Sequence, residues 1–289
     1  MTFQGGGPLD TGNVSGGGGG GRGKIALGGG AGLIVIIVAA LFGFDPGVLG
    51  IGSDGTSSSS SSSQDQSAID EQIQSCTIEK ANEDTVCRIV ATTNSLDAVW
   101  ADIMPGYEPP KTVIFEGNVD TACGPATSDV GPFYCPGDQT AYFDPSFFDV
   151  LTDRLGGGDG PLAQEYVVAH EYGHHVEYLT GALQKGQRMG AAGPTSGSVR
   201  IELQADCLAG VWAYNADKGP DAMLAPLTQQ QINDVIKTAK AIGDDAIQGD
   251  SSNPEGWTHG SSDQRVRWFN VGYNGGDPAS CDTFAAGSL

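Results

Sequence analysis

The sequence predicts an α+β fold, mainly helical with a small sheet, that is preceded by one transmembrane helix. Three observations support this prediction. An uncharged apolar stretch fills residues 25–44. Several later segments repeat apolar residues at helical spacing, and short runs rich in β-branched and aromatic residues lie between them. The length of 289 residues leaves room for one domain of ordinary size besides the apolar stretch.

The stretch at residues 25–44 has the length of a bilayer crossing, because about 20 helical residues span the hydrocarbon core. Arg22 and Lys24 precede it, and Asp45 follows it. The positive-inside rule therefore places the N-terminus in the cytoplasm and the rest of the chain outside. A cleaved signal peptide is the alternative, although the sequence lacks a small-x-small cleavage pattern before a polar start.

The two segments that flank this stretch have compositions typical of unfolded chain. Residues 1–24 are rich in glycine and lack apolar periodicity, so we expect a disordered cytoplasmic leader. Residues 45–66 contain the serine run 57–63 and are expected to form a flexible linker. The folded domain is then predicted over residues 67–289.

The composition excludes one class of function and indicates a compartment. Acidic side chains number 35 against 14 basic ones, and the net charge of -21 argues against nucleic-acid binding because phosphates would be repelled. The six cysteines show no C-x-x-C spacing, which favours disulfides in an oxidising compartment over a metal cluster. Of the fifteen connectivities that six cysteines allow, proximity favours Cys76–Cys87, Cys123–Cys135 and Cys207–Cys281.

Local patterns place the main elements of the domain. Apolar periodicity predicts helices at residues 94–104, from residue 161 to about 183, and at residues 199–215. Runs rich in β-branched and aromatic residues predict strands at residues 112–116 and 140–143.

Capping boxes mark two further helices. Thr228 and Gln231 stand at capping-box spacing before an apolar face, and Ser261 and Gln264 repeat that spacing before residues 263–273. Such a box satisfies two backbone N–H groups at a helix N-terminus, so we expect a helix to begin at each.

The strongest chemical signal lies in the helix that starts near residue 161. The motif H-E-Y-G-H at residues 170–174 puts His170 and His174 on one helix face, where both can bind the same ion. Glu171 would then lie beside that ion as a catalytic residue. A pair of surface histidines is the alternative, but the motif falls inside a strongly patterned helix.

The third ligand is expected from the helix at residues 199–215, because a catalytic zinc needs three protein ligands and an open position. Glu202 and Asp206 are four residues apart there, on a helix that is otherwise apolar. Buried carboxylates are costly unless they meet a cation or an imidazole. We therefore assign Glu202 as the third metal ligand and Asp206 as the carboxylate that orients His170. A solvated helix face is the alternative.

Taken together, these motifs resemble a bacterial family of neutral zinc metallopeptidases, also called YpfJ-like, whose site layout is similar to that of thermolysin-type gluzincins. The resemblance covers most of the chain after the linker and rests on residues 123–136, 170–175, 202–212 and 259–262. It implies a zincin-like fold, hydrolysis of peptide bonds, two histidines and one glutamate as Zn²⁺ ligands, and a catalytic glutamate. Glu177 departs from the glutamine expected in many members, and we expect this change to leave the mechanism unaffected.

Four side chains near these motifs are assigned with the resemblance in mind. His259 is predicted as a catalytic donor to the oxyanion, as a late histidine serves in related gluzincins, with a structural loop histidine as the alternative. His175 points about 100° away from His174 and is not expected to bind the ion. Arg265 is expected in a structural ion pair, with a substrate carboxylate as the alternative partner, and Tyr172 is expected in packing.

We therefore expect a membrane-anchored, extracytoplasmic zinc metallopeptidase. Water activated by Zn²⁺ would lose a proton to Glu171 and attack a peptide bond. The expected partners are a peptide or protein substrate and the membrane, reached through the N-terminal helix, and the oligomeric state is open. Two rivals are a non-catalytic surface module, in which His175 or Asp206 closes the zinc site as a fourth ligand, and a hydrolase of non-peptide amides in the cell envelope.

Overall fold

The computed structural model describes residues 2–17, 35–36, 62–219 and 222–289. The strands of these residues are β1 (Val14–Gly17), β2 (Val35–Ile36), β3 (Lys111–Phe115), β4 (Asn118–Thr121), β5 (Gly124–Thr127), β6 (Phe133–Cys135) and β7 (Thr140–Phe143). The helices are α1 (Ser62–Gln74), α2 (Ile78–Ala81), α3 (Thr85–Ile103), α4 (Phe147–Asp153), α5 (Pro161–Thr180), α6 (Ala182–Gln187), α7 (Gly197–Asn215), α8 (Gln229–Ala241), α9 (Asp244–Gln248) and α10 (Ser262–Gly275). The predicted α+β class, mainly helical with a small sheet, is confirmed.

The main sheet has five strands in the order β1-β3-β7-β6-β2. Strands β1, β3 and β7 run parallel, whereas β6 is antiparallel to β7 and β2 is antiparallel to β6. Strands β4 and β5 form a separate antiparallel pair. All four residues of β7 are buried, as expected of a central strand that is covered on both faces.

Helix α7 packs closely on both α5 and α10 and forms the centre of the helical part. Pro161 occupies the start of α5, where a missing N–H costs nothing. The helix ends before Gly181, which adopts the left-handed conformation with φ of 78°, so α5 stops earlier than the predicted residue 183. A separate helix, α6, then begins at Ala182.

The other predicted elements are confirmed with small changes of bounds. Both capping boxes form, at the start of α8 and of α10. Helix α3 starts nine residues before the predicted position, at Thr85, because Asp84 accepts a hydrogen bond from the backbone N–H of Cys87 and caps it. The three predicted disulfides, Cys76–Cys87, Cys123–Cys135 and Cys207–Cys281, are all present.

The N-terminal segment differs from the sequence prediction. Residues 2–17 fold against the domain, where β1 pairs with β3 and the side chains of Phe3, Leu9 and Val14 are buried. The prediction of a disordered leader over residues 1–24 is therefore wrong for residues 2–17, and residues 18–24 lie outside the described residues. Contacts with distant partners order this segment, and apolar periodicity cannot reveal them.

Most of the predicted transmembrane helix, residues 25–44, lies outside the described residues. Val35–Ile36 is described and forms β2, so the prediction of a helix is wrong at these two residues. Among the described residues, none of the helices combines the length and hydrophobicity of a membrane crossing. The predicted linker, residues 45–66, is described only from Ser62, where α1 begins.

Candidate metal centre

The close approach of α5 and α7 builds the candidate metal centre. Gly173 lies at the contact, where an added Cβ would stand 3.0 Å from the Cα of Ala205. His170 and His174 are one turn apart on α5, with Gly173 between them, and Glu202 projects from the first half of α7. A glycine at the crossing point thus lets the two helices bring these side chains together.

The three predicted ligands converge. One ligand atom from each of His170, His174 and Glu202 lies within 4.8 Å of the others, and all three residues are buried. The Nε2 atom of His170 is 3.2 Å from Oε2 of Glu202, and Nε2 of His174 is 3.6 Å from Oε1 of the same carboxylate. Two imidazoles and one carboxylate are a donor set that suits zinc.

The buried polar atoms at this point fit a cation. Within the described part of the chain, Nε2 of His174 and both carboxylate oxygens of Glu171 are buried without a hydrogen-bond partner. Such atoms lose their hydration and cost free energy unless something else binds them. An ion held by His170, His174 and Glu202 would bind one of them directly and lie near the others.

The charges of the ligands also suit a cation. Burial would raise the pKa of Glu202, but the neighbouring imidazole of His174 and a hydrogen bond to His170 lower it below its usual value, so the carboxylate is ionised. Burial lowers the pKa of His174 to about 3, which keeps its imidazole neutral and able to bind a metal. Burial also opposes a charge on His170, yet hydrogen bonds to Asp206 and Glu202 raise its pKa to about 9, so ion binding would release a proton there.

Asp206 lies within hydrogen-bonding distance of His170, the residue that it was predicted to orient. Its Oδ1 atom lies 2.9 Å from Nδ1 of His170 and accepts hydrogen bonds from the hydroxyl of Tyr166 at 2.5 Å and from Nη2 of Arg265 at 2.9 Å. All four residues are buried. The predicted structural ion pair of Arg265 is thereby confirmed, and the carboxylate that fixes His170 is itself fixed from two sides.

Glu177 holds the other histidine ligand, His174, and the sequence did not predict this contact. Its Oε2 atom is 2.8 Å from Nδ1 of His174, and neither side chain is exposed. Burial raises the pKa of Glu177 well above its usual value. The sequence predicted no contact of Glu177 with a metal ligand, and the expectation that its departure from glutamine leaves the mechanism unaffected stays a prediction. Its spacing of three residues from His174 on one helix was the available signal.

Glu171 lies in the same buried helix as the two histidines. Burial raises the pKa of its carboxyl group to about 8, while the charge of His170 opposes this shift. A cation held beside Glu171 would bring that raised pKa down, since a nearby positive charge favours the ionised form.

His259 stands in the turn before α10 and is buried. Its Nδ1 atom lies 3.3 Å from Oδ1 of Asp244 and 2.8 Å from the hydroxyl of Thr258. Burial opposes protonation, but the bond to Asp244 and the charge of Glu202 raise the pKa of His259 above its usual value. The charge of His259 in turn lowers the pKa of Glu171, so the predicted donor lies within electrostatic reach of the site.

His175 and Tyr172 lie away from the ligand atoms, as predicted. The ring of His175 is held at Nδ1 by the hydroxyl of Tyr134, at 2.9 Å, and at Nε2 by the backbone oxygen of Glu108, at 2.7 Å. Tyr172 is buried, and its hydroxyl lies 3.0 Å from that of Thr112 on β3. Both side chains therefore fasten α5 to its surroundings.

The buried helix pair of this α+β fold thus presents two histidines and one glutamate as a possible metal site, the arrangement of a candidate metalloprotein. The chain belongs to the family described as "Putative neutral zinc metallopeptidase", whose family model matches residues 8–284. The family resemblance predicted from the sequence is thereby confirmed.

Two relatives come from different bacterial species. "Uncharacterized protein Rv2575" of Mycobacterium tuberculosis is 49% identical over 260 residues, which cover 87% of this chain and 86% of the relative. "Uncharacterized protein YpfJ" of Escherichia coli is 41% identical over 225 residues, which cover 74% of this chain and 76% of the relative. No solved structure matches the chain.

Proposed function

We propose that the protein is a zinc-dependent metallopeptidase that hydrolyses peptide bonds. The convergence of His170, His174 and Glu202 beside an unpaired, buried Glu171 carries this proposal. A bound zinc ion supplies Lewis acidity, which polarises a carbonyl group and acidifies water. The family description supports the same chemistry.

The residues around the ion would have separate roles. Glu171 would accept a proton from the attacking water and deliver it to the leaving amine. His259, whose protonated form is favoured by Asp244, would donate to the oxyanion that develops at the scissile carbonyl. Asp206 and Glu177 would hold the imidazoles of the two histidine ligands in place.

The non-catalytic alternative requires a fourth protein ligand, which would close the site. Among the described residues, only the two histidines and Glu202 form a group with metal-binding spacing. His175 is held by Tyr134 and by the backbone of Glu108 instead. A site with three protein ligands leaves a position for water, which favours catalysis over a structural role.

We further propose that the metal centre works outside the cytoplasm, in association with the membrane. Three disulfides support an oxidising compartment. The uncharged stretch at residues 25–44 supports membrane association. The net charge of -21 makes nucleic acid an unsuitable partner. Peptides or proteins are the proposed substrates, in line with the family description.

Cleavage and zinc content should be measured together on the purified full chain, with mixed peptides and cell-wall fragments as substrates. Glu171→Gln should bind zinc and lose turnover, whereas His174→Ala should lose zinc as well. Glu165→Gln is the matched control, because Glu165 is also buried on α5 but contributes nothing to the ligand cluster. Substantial peptide cleavage by Glu171→Gln would refute the proposed role, and cleavage of cell-wall fragments alone would redirect the substrate class.

A further inference from the structure

The first residues of the chain are built into the metal-binding domain. The side-chain oxygen of Asn82 accepts hydrogen bonds from the backbone N–H groups of Thr2 and Phe3, at 2.9 and 3.1 Å, and its amide donates to the oxygen of Phe3 at 3.1 Å. The backbone N–H of Ala225 donates to the oxygen of Thr2 at 2.8 Å. Thr2 and Phe3 are buried between these two distant parts of the domain.

The segment then continues across the domain as an edge strand. Asp10 and Asn94 exchange two hydrogen bonds of 2.8 Å, and the N–H of Thr112 donates to the oxygen of Asn13 at 2.8 Å. Strand β1 next pairs with β3 in parallel through Gly17. Since β3 is itself bonded to β7, β1 extends the sheet of the domain and is not an independent unit.

Helix α1, which follows β1 after a long stretch of chain, contacts the end of that strand. The N–H of Gly16 donates to Oδ1 of Asp70 at 2.7 Å, and Nε2 of Gln66 donates to the oxygen of Gly16 at 2.8 Å. Gln66 and Asp70 belong to α1, the first element described after residues 18–34 and 37–61. Val35–Ile36, between those two ranges, also pairs with the domain, at β6.

We infer that residues 2–17 are a structural part of the metal-binding domain and lie on the same side of the membrane as that domain. A single crossing by residues 25–44 would put the two on opposite sides, where neither the strand pairing nor the Asn82 contacts could form. The predicted cytoplasmic N-terminus is therefore incompatible with an extracytoplasmic metal centre. The match of the family model from residue 8 onwards agrees with a segment that belongs to the domain.

Epitope tags in the full chain test the inference directly. One tag is inserted between Gly20 and Gly21 and a second, in another version, within residues 57–63, while a tag after Leu289 reports the side on which the domain lies. Protease and antibody access is compared in intact and permeabilised spheroplasts. All three tags should show the same accessibility. A tag at residue 20 that lies opposite the other two would overturn the inference. If all three are accessible only after permeabilisation, the shared side holds and the proposed extracytoplasmic location fails.

A disulfide cross-link gives a second measurement that is independent of membrane handling. Ser15 and Val113 are partners in the β1–β3 register, and adjacent strands lie within disulfide reach. The double variant Ser15→Cys, Val113→Cys also carries a protease site within residues 57–63, so that cleavage divides the chain into an N-terminal and a C-terminal fragment. After mild oxidation and cleavage, a disulfide should keep these two fragments linked. The control variant Ser15→Cys, Asp263→Cys places the second cysteine on α10, outside the sheet, and its fragments should separate. Fragments that separate equally in both pairs would overturn the strand pairing.

Discussion

Each histidine of the candidate metal centre is held at Nδ1 by a buried carboxylate. Asp206 holds His170 from α7, and Glu177 holds His174 from within α5. A neutral imidazole carries one proton, so an acceptor at Nδ1 leaves the lone pair of Nε2 for an ion. The two carboxyl groups therefore hold the ligands in orientation and favour the tautomer with the proton on Nδ1.

We predict that Glu177→Met weakens zinc binding by about 10- to 100-fold, the usual effect of removing a hydrogen-bond partner of a metal ligand. Methionine fills a similar volume but cannot accept the Nδ1 proton of His174. Glu177→Gln is the matched control, since its amide oxygen can accept the same hydrogen bond. Zinc affinity measured by chelator competition should fall in the order wild type, Gln, Met. Equal affinities of the Gln and Met variants would show that Glu177 only fills space.

Asp97 predicts a pH dependence of stability away from the metal centre. Burial raises the pKa of its carboxyl group to about 7, although a hydrogen bond from the hydroxyl of Tyr107 at 2.9 Å opposes the shift. The unfolded chain has the ordinary value of about 4. Between these values the folded protein holds a proton that the unfolded chain releases. The contribution of Asp97 to the free energy of unfolding is therefore fully present below about pH 4 and is lost as the pH rises to about 7.

Asp97→Asn should therefore raise the melting temperature at pH 8 by roughly a few degrees and change it little at pH 4. The asparagine cannot ionise, and its side-chain oxygen can still accept from Tyr107. Asp102→Asn, on the exposed side of the same helix, is the control and should show no pH-dependent gain. A gain of equal size at both pH values would mean that ionisation of Asp97 is not the cause.

The residues of the site were predictable to different degrees. The spacing of His170 and His174, and of Glu202 and Asp206, predicts two pairs of neighbours on helices. That all of them meet at one point depends on how α5 and α7 cross, and no local pattern encodes that. Asp244 was not predicted as the partner of His259, because the start of α9 and the turn before α10 meet across 15 residues of chain that carry no local signal of the contact.

At the scale of elements, the contact of α7 with α10 depends on two glycines. A Cβ at Gly272 would clash with the backbone oxygen of Cys207, and one at Gly210 would clash with that of Phe269. Backbone cannot move aside as a flexible side chain can. The two helices therefore approach closely enough for Arg265 of α10 to reach Asp206 of α7.

We predict that Gly272→Ala lowers the free energy of unfolding by about 2 kcal/mol or more, because the added methyl group overpacks the helix contact. Gly275→Ala is the matched control, since a Cβ there meets no atom within 4 Å, and it should be neutral or stabilise by about 0.5 to 1 kcal/mol. Denaturant unfolding of both variants is the measurement. Similar stabilities of the two variants would contradict the close packing of α7 and α10.

Helices with local signals were predictable, and strands with distant partners were not. The boxes at Thr228 and Ser261 begin α8 and α10 as expected, since capping involves residues only three apart. Strands β1 and β6 were missed, because β1 is rich in glycine and both depend on pairing with β3 or β7. Hydrophobic pattern alone does not identify such short strands.

At the scale of the whole molecule, covalent bonds and long-range contacts fix how the parts meet. The predicted pairing by proximity was correct for all three disulfides, including Cys207–Cys281, which closes 74 residues of chain. The glycine-rich composition of residues 2–17, in contrast, gave no hint that they complete the sheet. Their contacts are mostly backbone hydrogen bonds, which leave little trace in the order of side chains.

The Cys207–Cys281 bridge should matter for the metal centre as well as for stability. It fastens the C-terminal residues to α7, and Gln204 adds a hydrogen bond to the backbone oxygen of Cys281 at 2.8 Å. Cys207 directly follows Asp206, which orients His170. Loss of the bridge would thus loosen the helix that carries a ligand and its neighbour.

We predict that replacing Cys207 and Cys281 by alanine lowers the free energy of unfolding by about 4 kcal/mol, as expected for a loop of that length, and weakens zinc binding. The matched control replaces Cys123 and Cys135, whose bridge closes 12 residues beside the β4–β5 pair. That change should lower the free energy of unfolding by about 3 kcal/mol, because the unfolded chain gains conformational freedom. It should leave zinc affinity unchanged, because neither cysteine lies on α5 or α7. Calorimetric unfolding and chelator competition on both variants separate the two effects. Equal zinc affinities in the two double variants would show that α7 keeps its position without the bridge.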